Sequence, residues 1–156
     1  MPGPTPAVKP AAPQDKEILR QLLEFNAYEA SRFEDAELDA HGRFGYRYLD
    51  HYWTEEGRHP CLILVGLSIA GMALVREGPP HSIAEFLIMP KHRRTGVGTA
   101  AARDVLLRHP GQWEVRQAPG NAAAVSFWRH AIPCEFAERR DEHGTTQTFT
   151  ILSPHR

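Results

Sequence analysis

Residues 89–104, MPKHRRTGVGTAAARD, constrain the fold more than any other stretch. The run Arg93-Arg94-Thr95-Gly96-Val97-Gly98 stands between an apolar segment, HSIAEFLIM (81–89), and an alanine-rich one that reaches His109. The first reads as a strand apolar on both faces, suited to the middle of a covered sheet. Pro90 stops its pairing. The second, Gly96 to His109, reads as a helix with a narrow polar stripe at Arg103, Asp104 and Arg108, and therefore mostly buried. A strand, a glycine loop and a helix in this order require a sheet with a helix packed on it. They also set helix N-terminal amides at the strand's end, where anions bind.

The flanking segments extend this unit. From Asp15, a plausible cap, DKEILRQLLEFNAYEASRF spaces Ile18, Leu19, Leu22, Leu23 and Phe25 as a helix does. An acidic turn, EDAELDAHGRFG, leads to a second, aromatic helix expected over YRYLDHYWTEEG and ending at Gly57. CLILVGLSIAGMALVRE reads as a hairpin turning near Ser68 to Gly71. After the glycine loop and its helix, QWEVRQ alternates as a strand with Trp113 and Val115 on one face. Asn121 caps a helix over AAAVSFWRHAI, and CEFAERR with TTQTFTIL closes a last hairpin around DEHG. This order predicts one mixed α/β domain over 14–156, preceded by a flexible Pro/Ala-rich tail over 1–13.

Composition removes several classes of function. A formal net charge of −1 gives no basic surface for nucleic acid. No apolar run approaches the roughly 18 residues of a membrane span, and the N-terminus lacks a signal core. A cytoplasmic location is therefore expected, with Cys61 and Cys134 as reduced thiols rather than a disulfide. The nine histidines contain no His-x-x-x-His or His-x-His pair, so scattered surface histidines are expected and no metal site.

Three phosphate loops compete for RRTGVG. A Walker loop needs Gly-Lys-Ser/Thr, but Gly98 is followed by Thr99 and Ala100. A dinucleotide fingerprint would accept Gly96-x-Gly98 with Ala101 as third member and Glu114 as the ribose acid, yet the chain has no repeated βαβ units. In the third option Arg93, Arg94 and the helix N-terminus converge on a pyrophosphate.

Here the chain resembles a known family. Pro90-x-x-Arg93-x-x-Gly96-x-Gly98, after a strand and opening a helix, is similar to the acyl-CoA-binding motif of the GNAT superfamily of N-acyltransferases. Asn121-x-x-Ala124-x-x-Phe127-Trp128, one strand later, resembles its second recurring pattern. The order of elements from Asp15 to Leu152 agrees, and the EFLIMPKHRRTGVG, GQWEV and FWRHAI strings look like a bacterial subgroup of predicted acetyltransferases. The resemblance implies a mixed, mostly antiparallel sheet with splayed central strands, flanked by helices on both faces. It implies acetyl-CoA as co-substrate, no metal, and a primary amine, on a small molecule or a protein, as acceptor. A monomer or homodimer is expected.

Residue by residue, the resemblance sets the backbone of Leu87, Ile88 and Met89 against the pantetheine arm. The amides of Arg93, Arg94, Thr95, Gly96, Val97, Gly98 and Thr99 would hold the pyrophosphate, with Asn121 on the cofactor arm and Phe127 and Trp128 lining the groove. For Asn121 and Phe127, a simple cap and a core residue remain alternatives. An amine of pKa near 10.4 is only about 0.1% neutral at pH 7, so a base is useful. Glu85 is the first candidate: it shares a strand face with Leu87 and Met89, and the family carries an acid here. His81 is second, and an N–H near Ile88 would serve the oxyanion. Many members carry a tyrosine to protonate the leaving thiolate where this chain has Trp128. That departure keeps a non-catalytic acyl-CoA-binding sensor as the alternative, and longer acyl chains stay open. Tyr28 and Tyr46, with Glu85, are the expected acceptor residues, among other aromatics (Phe33, Tyr48, Tyr52, Trp53) and acids (Glu29, Glu34, Asp35, Glu37, Asp39).

Overall fold

The structure, a computed structural model, describes residues 3–154; Met1 and Pro2 of the expected tail, and His155 and Arg156 of the expected domain, lie outside them. Seven strands form one sheet: β1 (Ala7–Pro10), β2 (Arg58–Val65), β3 (Ser68–Arg76), β4 (His81–Ile88), β5 (Gly111–Gln117), β6 (Ala137–Asp141) and β7 (Gly144–Ile151). Their spatial order is β1-β2-β3-β4-β5-β7-β6. Every neighbouring pair is antiparallel except β4 and β5. The helices are α1 (Lys16–Ala30), α2 (His51–Thr54), α3 (Val97–Leu107) and α4 (Ala122–Ala131).

Strand alternation sends side chains into two separate cores, one on each face of the sheet. Leu62 of β2 and Met72 and Leu74 of β3 pack with Leu19, Leu22 and Leu23 of α1 and Tyr52 of α2. Ile63, Ala73 and Val75 face the other way, onto Val97, Ala101 and Val105 of α3 and Trp128 of α4. Helices thus cover both faces, as expected. The spacing of α1 explains its side: Leu19, Leu22 and Leu23 form one stripe and are buried, while Ile18 and Phe25 fall off it and are exposed. Asp15 does stand at the cap position of α1, but its carboxylate accepts from Ala12 N at 2.9 Å.

Three expectations need correction. The tail over 1–13 is not free throughout: Ala7–Pro10 pair with β2, from Ala7 opposite Leu64 to Pro10 opposite Cys61, and Val8 is buried. An edge strand tolerates Pro10 because its outer side needs no donor. The aromatic helix expected over 46–57 is reduced to the single turn of α2. There the Glu24 carboxylate accepts from Phe44 N at 2.9 Å and Gly45 N at 2.8 Å, which fixes an irregular approach in place of a helical one. The first hairpin turns at Gly66–Leu67, since Val65 pairs with Ser68. Cys61 and Cys134 are free thiols. Among the described residues no helix is long and apolar enough to cross a membrane.

Candidate functional site

Strands β4 and β5 pair only at His81–Trp113 and Ser82–Glu114. Beyond Ser82 they diverge, although β4 keeps its ladder with β3 as far as Ile88 opposite Gly71. Met89 N donates to Ala70 O at 2.7 Å. Alternation along an extended chain therefore turns the Ile88 N–H to the opposite, open side. The divergence leaves a cleft of ≈ 620 Å³ bounded by β4, α1, α4 and the loop before α3.

The loop carries the glycines. Arg94 (φ 60°) and Gly96 (φ 88°) are both left-handed, and Gly96 stands at the cap position of α3. A side chain at Gly96 would strain that turn. Val97 N has only a long contact, 3.4 Å, to Thr95 Oγ1, whereas Ala100 N donates to Gly96 O at 3.1 Å. The amides of Gly98 and Thr99 lie in the first turn of α3, which has no intrahelical acceptors, and both residues line the cleft. Gly98 also allows close packing: a Cβ there would stand 3.0 Å from Phe127 Cε1.

Arg93 departs from a simple phosphate contact. Its Nε donates to Ile88 O at 2.7 Å, and one terminal nitrogen bridges both Glu29 oxygens at 2.7 and 2.8 Å. Its amide donates to Pro90 O. The side chain ties the end of β4 to α1, and Arg94 is the loop arginine without such a tie among the described residues.

Leu87, Ile88, Arg93, Arg94, Gly96, Gly98, Thr99, Asn121, Phe127 and Trp128 all line the cleft. Met89 packs into the α1 core, the Val97 side chain is fully buried, and Thr95 turns its hydroxyl onto His92 O at 2.6 Å. Asn121 caps α4, its Oδ1 accepting from Ala124 N at 3.2 Å. Trp128 is buried, with its ring 5.2 Å from Phe86; Phe127 lies 5.5 Å from the same ring.

Glu85 reaches the α1 face of the sheet. A bulge at Leu74/Val75, where Leu74 opposes Glu85 but Val75 opposes Ile83, shifts the strand at Ala84. Asn26 Nδ2 of α1 donates to Glu85 Oε2 at 2.6 Å. Burial, with the nearby Glu34 charge, pushes the carboxyl up to about 7, and the Asn26 bond opposes that rise. Tyr46 is half-buried beside Tyr52, and burial pushes its hydroxyl well above the ordinary phenol range, with Tyr52 and Glu85 adding to it. Tyr28 is 72% exposed and lines no part of the cleft. His81 stands at the opposite end of β4, its ring between Gly78 N and Pro110 O, so it is not brought to the site. Asn26 carries no sequence signal: it lies 59 residues from its partner.

Solved structures of other proteins have the same fold. An acetyltransferase from Thermus thermophilus is 17% identical, with a TM-score of 0.70 over 95% of this chain and 97% of that one. The ribosomal-protein-S18-alanine N-acetyltransferase from Escherichia coli is 13% identical, with a TM-score of 0.63 over 97% and 96%. An aminoglycoside acetyltransferase in complex with coenzyme A is 16% identical, with a TM-score of 0.64 over 93% and 94%. These likenesses share the fold. Among curated protein sequences, none matches this chain. The Acetyltransferase (GNAT) family profile matches residues 20–131, which run from α1 through the splayed strands and glycine loop to the end of α4, and the chain belongs to the GNAT acetyltransferase family.

Proposed function

We propose that this acyltransferase moves an acetyl group from acetyl-CoA to a primary amine by direct attack in a ternary complex, with Glu85 as general base. One observation carries the reading: a carboxyl raised to about 7 stands on the strand whose open edge borders the cleft. A base of that pKa is half ionised near neutrality, where it matches its task. The amine nitrogen attacks the thioester carbonyl carbon while its proton passes to a Glu85 oxygen, directly or through one water. The Ile88 N–H, on the open side, stabilises the charge developing on the carbonyl oxygen. The C–S bond then breaks and coenzyme A leaves as the thiolate, since the indole of Trp128 is not an acid. The thiolate's proton comes from water or another side chain, or it leaves unprotonated, and Glu85 returns its own proton to solvent.

The donor fits the residues present. The free amides of Gly98 and Thr99, with Arg94, suit a pyrophosphate, and the open β4 edge suits an amide-bearing arm. Among the fold's relatives, the aminoglycoside acetyltransferase holds coenzyme A. In this reading Tyr46 and Glu85 serve the acceptor side: both lie outside the cleft lining, which Glu85 meets through Asn26. The carboxylate attracts the acceptor's ammonium before deprotonation. Trp128 favours one second reading, an acyl-CoA-binding sensor without turnover.

Incubation with acetyl-CoA and a panel of primary amines, read as free thiol beside a thermal-shift titration, separates these readings. Thiol release with at least one amine is expected. Stabilisation by acetyl-CoA without thiol release from any amine would establish the sensor, and no stabilisation would remove the donor site.

A further inference from the structure

We propose that His59, Glu77 and His109 form a binding site for one divalent transition metal, of which Zn²⁺ is the representative, at the end of the sheet remote from the cleft. Their ligand atoms (one nitrogen from each imidazole and a carboxylate oxygen) all lie within 4.8 Å of one another. His59 Nε2 is 3.1 Å from Glu77 Oε2, and the His59 and His109 rings are 4.5 Å apart. Donor atoms around a tetrahedral zinc stand about 3.4 Å apart, so small rotations of the imidazoles complete the set. Two imidazoles and one carboxylate, with water in the fourth place, select zinc, nickel or copper over calcium and magnesium, which want oxygen ligands.

The surrounding backbone fixes where these three side chains start. His59 is the second residue of β2, and Glu77 follows β3 directly, its N–H donating to Gly57 O at 2.6 Å. His109 ends the turn after α3, its carbonyl held by Trp113 Nε1 at 2.8 Å, and Trp113 is buried. His81 ties the two halves together. Its Nδ1 accepts from Gly78 N at 2.9 Å, and its Nε2 meets Pro110 O at 3.0 Å. A carbonyl can only accept, so Nε2 carries the proton, and both ring nitrogens are engaged. His81 thus clamps the residue after Glu77 to the residue after His109, and is a positioning residue rather than a fourth ligand.

The local charges permit a cation. Arg58 beside His59 is held by Glu55 at 2.8 Å, and Arg108 beside His109 by Asp104 at 2.9 Å. The His59 and Glu77 side chains are 40% and 46% exposed, which leaves an ion a way in from solvent. Bound there, a metal would join the β2–β3 half of the molecule to the α3–β5 junction, beside the two residue pairs that hold β4 to β5.

The test uses the untagged full-length chain, stripped with chelator and titrated with ZnCl₂ by calorimetry and with CoCl₂ by visible absorption. One equivalent of Zn²⁺ is expected, with tetrahedral ligand-field bands for Co²⁺ and a rise in thermal midpoint. His59→Ala, Glu77→Gln and His109→Ala should each weaken Zn²⁺ by at least tenfold, whereas His143→Ala should not. Acetyl-CoA binding by each variant reports that it is folded, independently of the metal. No zinc uptake by the parent chain, or uptake unchanged in His109→Ala and His59→Ala, would overturn the site.

Discussion

At the scale of single residues, the proposed base is Glu85, a carboxyl whose pKa in the folded chain is raised well above its ordinary value. The cause is burial, and burial has two readouts of opposite benefit. Below about pH 4.5 the carboxyl is neutral whether the chain is folded or not, and no penalty applies. As pH climbs, the unfolded chain loses this proton first, so folding is increasingly penalised until the folded group ionises near pH 7. A shift from 4.5 to about 7 corresponds to about 3 kcal/mol above that pH. Glu85→Gln keeps an oxygen able to accept from Asn26 but never ionises. Its stability, measured by urea unfolding, should therefore gain on the parent chain between pH 5 and pH 8. Its acetyl-transfer rate should lose the rise through pH 7 and fall by about 10²-fold or more at pH 8. A parallel pH–rate profile in the two proteins would remove Glu85 as the base.

At the scale of elements, what the sequence reveals depends on whether an element is stabilised locally. The β4–loop–α3 unit is readable because Pro90, Gly96 and the alanine run each dictate backbone conformation where they stand. The parity that puts Glu85 with Leu87 is readable too, because the bulge falls at Ala84, ahead of both. Strand β1 is not readable. Its Pro/Ala composition resembles a linker, and its partners, the edge of β2 and Arg108 beyond α3, lie far along the chain. The segment before α2 has helical spacing, but Glu24 takes its amides. Asn26 and the three proposed ligands His59, Glu77 and His109 come from distant positions that no local pattern links. If β1 is a genuine part of the sheet, Val8→Asp buries an unpaired carboxyl and should cost about 2–3 kcal/mol. A loss under about 0.5 kcal/mol in urea unfolding would return residues 7–10 to the status of a tail.

At the scale of the whole molecule, the sheet separates two cores that share no side chains. Leu22 belongs to the α1 face and Ile63 to the α3 face. Leu22→Ala should cost about 2–4 kcal/mol and Ile63→Val about 1 kcal/mol. Their double mutant should equal the sum within about 0.5 kcal/mol, since neither replacement leaves a space the other can fill. A larger coupling would mean that the sheet transmits strain between its faces.

That separation bears on how such a protein is retooled. The α1 face carries Glu85, Asn26 and Tyr46, while α3 and α4 pack on the other side. On the proposed reading, an exchange of acceptor amine falls mainly on α1 and on residues 31–50. Glu29 and Phe33 are exceptions, because Glu29 bonds to Arg93 and Phe33 lies against Gly120 before α4, both within the cleft lining. Variation confined to those positions, with Glu29 and Phe33 kept, would leave the proposed donor half unchanged, so that one donor platform would serve many acceptors.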